Sequence, residues 1–224
     1  AVIFLVHGIV VASWILHIPT VKARFGLSEG VLGLALLSIA VGSLVAMPVT
    51  GAVVSRVGSR RMTVWTTLAF CAVLPGPLVA PHLPLLFAAL FVFGACAGAM
   101  DVAMNAHAVA VEQRYPRPLM SSFHAMFSLG GFAGAAVGGF LLGAGAAPRL
   151  HAALVAGAMV VAAAAVFPLL LPAHVDAAGR APGSGLSLRA GLRGPRGMLA
   201  GLGALAFCVL LSEGAMGDWS TVYL

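Results

Sequence analysis

One aspartate stands where chemistry inside a membrane would need it. Asp101 lies about 16 residues, or ~24 Å of helix, into an apolar run over roughly 85–111. A carboxylate in hydrocarbon costs on the order of 2.5–3.5 kcal/mol on insertion scales, so Asp101 should face a bundle interior or a wet cavity. Asp101, Asn105, Ala108 and Glu112 follow at i, i+4, i+7 and i+11 and share one helix face. Such a stripe can line a cavity, with Asp101 as the proton-binding group and Asn105 beside it. The other reading is a carboxyl held protonated by a neighbouring helix. Glu112, next to Arg114, reads as half of a surface ion pair.

Histidines recur within apolar runs at His7, His17, His107 and His124. Imidazole titrates near neutral pH and can relay protons. His124 is the best placed, with Ser128 one turn on, whereas His107 lies off the Asp101 stripe and favours packing. His17 and Trp14 are further cavity candidates. Trp14 could stack on a sugar ring or sit in an interfacial aromatic belt. The last run carries Glu213, Asp218 and Trp219, for which binding, gating and interface solvation are all open. Cys71, Cys96 and Cys208 fall inside apolar runs without disulfide or metal spacing and read as small hydrophobes. No nucleophile–base set and no metal-ligand cluster is visible, so neither an enzyme nor a cofactor is expected.

The bilayer must position these residues. Hydrophobic residues make up 61% of the 224 and charged residues 8%, with a mean hydropathy of +1.08. A soluble domain carries roughly a quarter charged residues. The expected fold is therefore all-α, a polytopic transmembrane helical bundle, and not a barrel of short alternating strands. Seven apolar runs, roughly 1–19, 30–54, 62–80, 85–111, 120–143, 150–171 and 198–224, each can cross a bilayer. Connections after spans 2, 4 and 6 hold Arg56, Arg60, Arg61, Arg114, Arg117, Arg180, Arg189, Arg193 and Arg196. Those after spans 1, 3 and 5 hold Lys22, Arg24 and Arg149. Nine against three places the first set, and the N-terminus, in the cytoplasm. The net charge of +6 is thus topology charge, and no nucleic-acid partner is implied.

Residues 172–197 are rich in Pro, Gly and Arg and read as a cytoplasmic linker. The organisation expected is a six-helix bundle over 1–171, this linker, and a seventh helix over 198–224 that begins a second bundle. Gly214 and Trp219 faintly repeat Gly8 and Trp14, as an internal duplication would. The chain opens and closes inside apolar runs and reads as a piece cut at both ends. Its first run lacks the charged leader and cleavage site of a signal peptide.

The connection between spans 2 and 3 carries Gly51, Ser55, Arg56, Gly58, Arg60 and Arg61. This resembles the loop motif of the major facilitator superfamily, Gly-x3-Asp-Arg-x-Gly-Arg-Arg/Lys, with Ser55 in place of the Asp and Ser59 in place of an Arg. The glycines allow a tight turn and the arginines suit an anionic leaflet. In the superfamily the Asp helps lock one conformation, and this chain lacks it. A narrower resemblance runs through Trp14-x3-Ile18-Pro19, Asp101-Val-Ala-Met-Asn105, His124-Ala-Met-Phe-Ser128-Leu-Gly130 and Glu213-Gly-Ala-Met-Gly-Asp218-Trp219. These are similar to the fucose-permease-like branch, with its bacterial inner-membrane YbjJ-type members.

That resemblance implies a secondary transporter of a small, sugar-like polar solute in a bacterial inner membrane. Transport would be coupled to protons at Asp101 and completed by a second half of the chain. It also implies alternating access with bilayer, solute and protons as the partners. Gly130, Gly134, Gly138 and Gly139 in span 5 read as helix-packing positions. They also resemble the span-5 motif of proton-driven exporters, with Ala135 where that motif has Pro and Leu90 where exporters carry an Arg. A drug or metabolite exporter is the first alternative, and a membrane sensor or assembly partner that does not transport is the second.

Overall fold

The computed structural model describes residues 1–172 and 196–223. Every regular element among the described residues is a helix, with no strand among them. Seven helical stretches are long and apolar enough to cross a membrane: Val2–Phe25, Glu29–Val57, Ser59–Val79, Leu83–Glu112, Met120–Gly143, Pro148–Leu169 and Ala200–Tyr223. The chain divides into two compact units, Ala1–Gly179 and Arg180–Leu224. Most of the segment read as a linker lies outside the described residues.

Two spans are built from two helices each, and proline is the reason. Span 1 is α1 (Val2–Ile15) followed by α2 (Ile18–Phe25), with Pro19 in the first turn of α2. Proline has no N–H to donate back into α1, but its fixed φ suits a helix start. Span 1 therefore continues about six residues beyond the apolar run that ends near residue 19, and takes Lys22 and Arg24 into its last turns. Gly26, at φ 60°, ends it with the Leu27 N–H donating to the Lys22 carbonyl, and Ser28 caps the next helix. Span 3 is α4 (Ser59–Val73) and α5 (Gly76–Val79), parted at Pro75. Spans 2, 4 and 5 are the single helices α3 (Glu29–Val57), α6 (Leu83–Glu112) and α7 (Met120–Gly143). Span 6 is α8 (Pro148–Val166) with a closing 3-10 turn at Phe167–Leu169, and α9 (Arg196–Tyr223) holds span 7.

The connection between spans 2 and 3 is shorter than its sequence implies. Residues 55–61 are helical except for Gly58, which at φ 97° and ψ 148° ends α3 and starts α4 by itself. A side chain is strained in that conformation, and glycine is not. Gly51, Ser55 and Arg56 thus ride on the end of α3, and Arg60 and Arg61 on the first turn of α4.

In the first unit α3 packs along α6 and α1 along α7, the two most extensive pairings, while α8 leans on α1 and α4. Glycine sets these approaches. A methyl on Gly130 would overlap the Leu5 carbonyl, and one on Gly8 would meet the Phe127 carbonyl. Gly42 and Gly94 do the same between α3 and α6. Gly134 and Gly138 are buried against α1, with Gly138 also under His151, while Gly139 faces open space.

Candidate functional site

Asp101 stands in α6 eleven residues before its end at Glu112, or ~16 Å along the axis. It is half-buried. One turn on, the Asn105 amide donates to the Asp101 carboxylate at 3.0 Å and to its backbone carbonyl at 2.9 Å. The i, i+4 spacing puts the two side chains one above the other, so the amide fixes the carboxyl's orientation. His124, in the second turn of α7, is within electrostatic reach of that carboxyl. Its Nδ1 lies 3.1 Å from the Met120 carbonyl. A carbonyl only accepts, so Nδ1 carries the hydrogen and Nε2 is the position that can gain one. Phe4 of α1 supports this group, its ring 5.4 Å edge-on to His124 and 5.5 Å from Phe123. Ser128 is exposed one turn beyond. Two helices, α6 and α7, thereby bring a carboxyl, an amide and an imidazole to one partly open face, with the Phe4 ring of α1 against the imidazole.

Further along the stripe, Ala108 is buried and borders a cavity of about 320 Å³ with Phe4 and His107, and Glu112 turns to the start of α7. Its Oε2 accepts the N–H groups of Leu119 at 2.5 Å and Met120 at 2.6 Å, capping the start of α7. The first N–H groups of a helix have no partner within it, and a carboxylate there also meets the positive end of the dipole.

Trp14 is enclosed in the bundle, 5.7 Å from the Phe93 ring, and lies in neither an exposed cavity wall nor an exposed belt. His17 is also fully buried, with Nε2 3.1 Å from Nδ1 of His151 in α8. His7 sits between the rings of Phe70 and Phe127, and neither of its nitrogens has a hydrogen-bond partner among the described residues. In the second unit Glu213 is exposed, Asp218 and Trp219 are half-buried, and Trp219 stacks on Tyr223 at 5.8 Å.

The loop motif is tied down within its own unit. Ser55, where the motif has its acid, donates to the Ala52 carbonyl of its own helix at 2.7 Å. Ser59 meets His107 at 2.9 Å, and Arg60 donates to the Phe167 carbonyl at 3.3 Å. At the opposite end the minority cations are also anchors. Lys22 pairs with Glu29 at 3.0 Å, Arg24 donates to the Leu78 and Ala80 carbonyls at 2.6 Å each, and Arg149 joins it on Leu78 at 3.2 Å. Arg24 and Arg149 thus cap the carbonyls left open at the end of span 3.

Sequence reasoning missed His151 and the anchoring roles of Arg24, Arg60 and Arg149. For His17 and His151 the signal was depth, since both lie near the same end of their spans. The contacts of Arg24 and Arg60, across 54 and 107 residues, leave no local mark. Among the described residues no three His, Cys, Asp or Glu side chains could hold a metal.

Seven apolar helices, one of them carrying a half-buried carboxyl within its length, define a multi-pass α-helical membrane protein. The profile of the Major Facilitator Superfamily matches residues 1–224, and the chain belongs to that superfamily, a family of transporters and not of enzymes. It is 39% identical over 223 residues to an uncharacterized MFS-type transporter of Yersinia pestis, covering 99% of this chain and 55% of that protein. An uncharacterized transporter of Sinorhizobium fredii is 36% identical over 221 residues, covering 99% of this chain and 57% of that protein. The membrane protein MosC of Rhizobium meliloti is 33% identical over 227 residues, covering 99% and 52%. The chain thus spans about half the length of the curated relatives it matches. No solved structure matches it.

Proposed function

We propose that this chain forms the first half, and the first helix of the second half, of a proton-coupled secondary transporter for a small polar solute. Transport proceeds by alternating access. The solute is sugar-like by the resemblance to the fucose-permease-like branch. The protein lies in a bacterial-type inner membrane with its N-terminus in the cytoplasm. The carrying observation is the Asp101–Asn105 pair on α6 with His124 of α7 in electrostatic reach. An intramembrane carboxyl at a partly open face is a proton site by default, and its alternatives cost too much to retain without use. Proton binding at Asp101 neutralises the site before it crosses between faces. Asn105, His124 and Ser128 offer hydrogen bonds to solute hydroxyls. Glu213, Asp218 and Trp219 would contribute from the second half.

The test uses full-length protein in proteoliposomes. Asp101→Asn keeps shape and hydrogen bonding but removes titration. It should abolish accumulation driven by a pH gradient while leaving solute exchange intact, because exchange moves no net proton. Accumulation by Asp101→Asn equal to wild type would make Asp101 a structural carboxyl and end this mechanism.

A further inference from the structure

A cavity of about 360 Å³ lies between α7 and α8, with Ile9 and Ser13 of α1 beneath it. No residue of α6 lines it, so it is separate from the Asp101 site. Its walls are apolar, and Val137, Leu141, Leu150 and Leu154 are exposed along them. Exposed leucine and valine on a membrane span suit lipid tails, which are equally apolar. Along α8 the groove runs from Leu150 to Met159, ~14 Å of helix.

Toward one end the groove turns polar. Ser13 is buried, lines the groove, and its hydroxyl has no hydrogen-bond partner among the described residues. His151, in the first turn of α8, is also buried and lines it. Gly138 of α7 makes room for that imidazole, since a methyl there would stand 2.9 Å from its Nε2. His17 fixes where the hydrogens lie. Its Nδ1 is enclosed without a partner, and an orphaned N–H is rarer than an orphaned acceptor. His17 therefore carries its hydrogen on Nε2 and donates to His151 Nδ1 at 3.1 Å. His151 is left with its hydrogen on Nε2. The groove thus has two donors, the Ser13 O–H and the His151 Nε2–H.

We propose that this groove holds one acyl chain of a membrane phospholipid, its ester oxygens accepting from His151 and Ser13 and its hydrocarbon lying along α7 and α8 toward mid-span. A buried water needs two to four polar partners, and the groove supplies them toward one end only. Left empty, its lining would forfeit the contacts that hydrocarbon supplies. The His151 donor stands ~5 Å into α8, at the depth where the polar part of a lipid gives way to hydrocarbon, and the apolar stretch runs on from there. A phospholipid tail has that order of chemistry along its length. The site requires neither Asp101 nor proton coupling.

The test uses full-length protein in vesicles of a diether phosphatidylcholine. Two trace probes are compared, a diester and a diether phosphatidylcholine, each with a diazirine on one chain. Adducts are mapped by peptide mass spectrometry after illumination. Both probes should label residues 133–141 and 150–159 above the level at Trp65, an exposed residue of α4 outside the groove. The ester probe should exceed the ether probe there about fivefold, the worth of one hydrogen bond, and the two should be equal at Trp65. Ser13→Ala should shrink that preference. Ala158→Phe, which fills the groove, should bring both probes down to the Trp65 level. Groove labelling no higher than at Trp65 overturns the lipid site and leaves the groove to a helix of the second half. Equal labelling by ester and ether probes overturns the role of the two donors. Should Ala158→Phe not fold, the wild-type comparison still decides.

Discussion

Glu112 shows how one side chain's role depends on what folds back onto it. Local sequence pairs it with Arg114, yet its carboxylate accepts two backbone N–H groups at the start of α7. Glu112→Ala should cost about 0.5–2 kcal/mol, the usual worth of a helix cap, read as a lower melting temperature of the full-length protein in detergent. Glu112→Gln, which keeps one carbonyl oxygen, should lose less. Melting equal to wild type in both variants would mean that the cap contributes nothing. At this scale the sequence was legible for groups whose cost depends on the solvent alone. Asp101 declared itself because hydrocarbon penalises a carboxyl wherever its neighbours are, and Asn105 followed from helix periodicity. Trp14 and His17 could not be placed that way. Whether a residue of span 1 faces a cavity or the bundle interior depends on spans 4 and 6, which supply Phe93 and His151.

All seven spans were legible as elements, because about 20 apolar residues in a row have few other fates. Their ends were less so. Proline looked like a stop near residue 19 but begins a second helix, and a connection of several residues shrank to Gly58. Both outcomes follow from backbone conformations that periodicity does not register. The glycines of α7 carry a sharper test. A methyl at Gly130 would strike the Leu5 backbone, which cannot swing aside as a side chain can. Gly130→Ala should therefore force α1 and α7 apart and destabilise by about 1–3 kcal/mol. Gly139→Ala, with nothing within 4 Å of its added carbon, should stay within about 0.5 kcal/mol of wild type. Thermal melts of both variants in one detergent decide the matter, and equal losses would show that close approach along α1 is not what Gly130 serves.

At the scale of the whole molecule, charge and symmetry make the argument. The three cations at the minority end each have a structural partner: Glu29 for Lys22, and span-3 carbonyls for Arg24 and Arg149. From the nine-to-three count in the sequence we propose that the arginine-rich connections face the cytoplasm. Placed on a background with Cys71, Cys96 and Cys208 replaced, Ala146→Cys should then react with an impermeant thiol reagent on intact cells. Arg117→Cys should react only after permeabilisation, and the reverse pattern would invert the topology. The same view bears on what this length of chain can do. The described first unit holds six spans and the Asp101 site, while its relatives are nearly twice as long. Alternating access works by rocking one half against the other around a central site. On the two-half reading proposed above, one helix of a second half would give the first nothing to rock against. Purified residues 1–224 in liposomes should therefore insert and bind but show no saturable uptake, whereas a full-length chain in the same preparation should. Saturable, gradient-driven uptake by the shorter chain alone would mean that six or seven helices suffice, and that the two-half mechanism does not describe this protein.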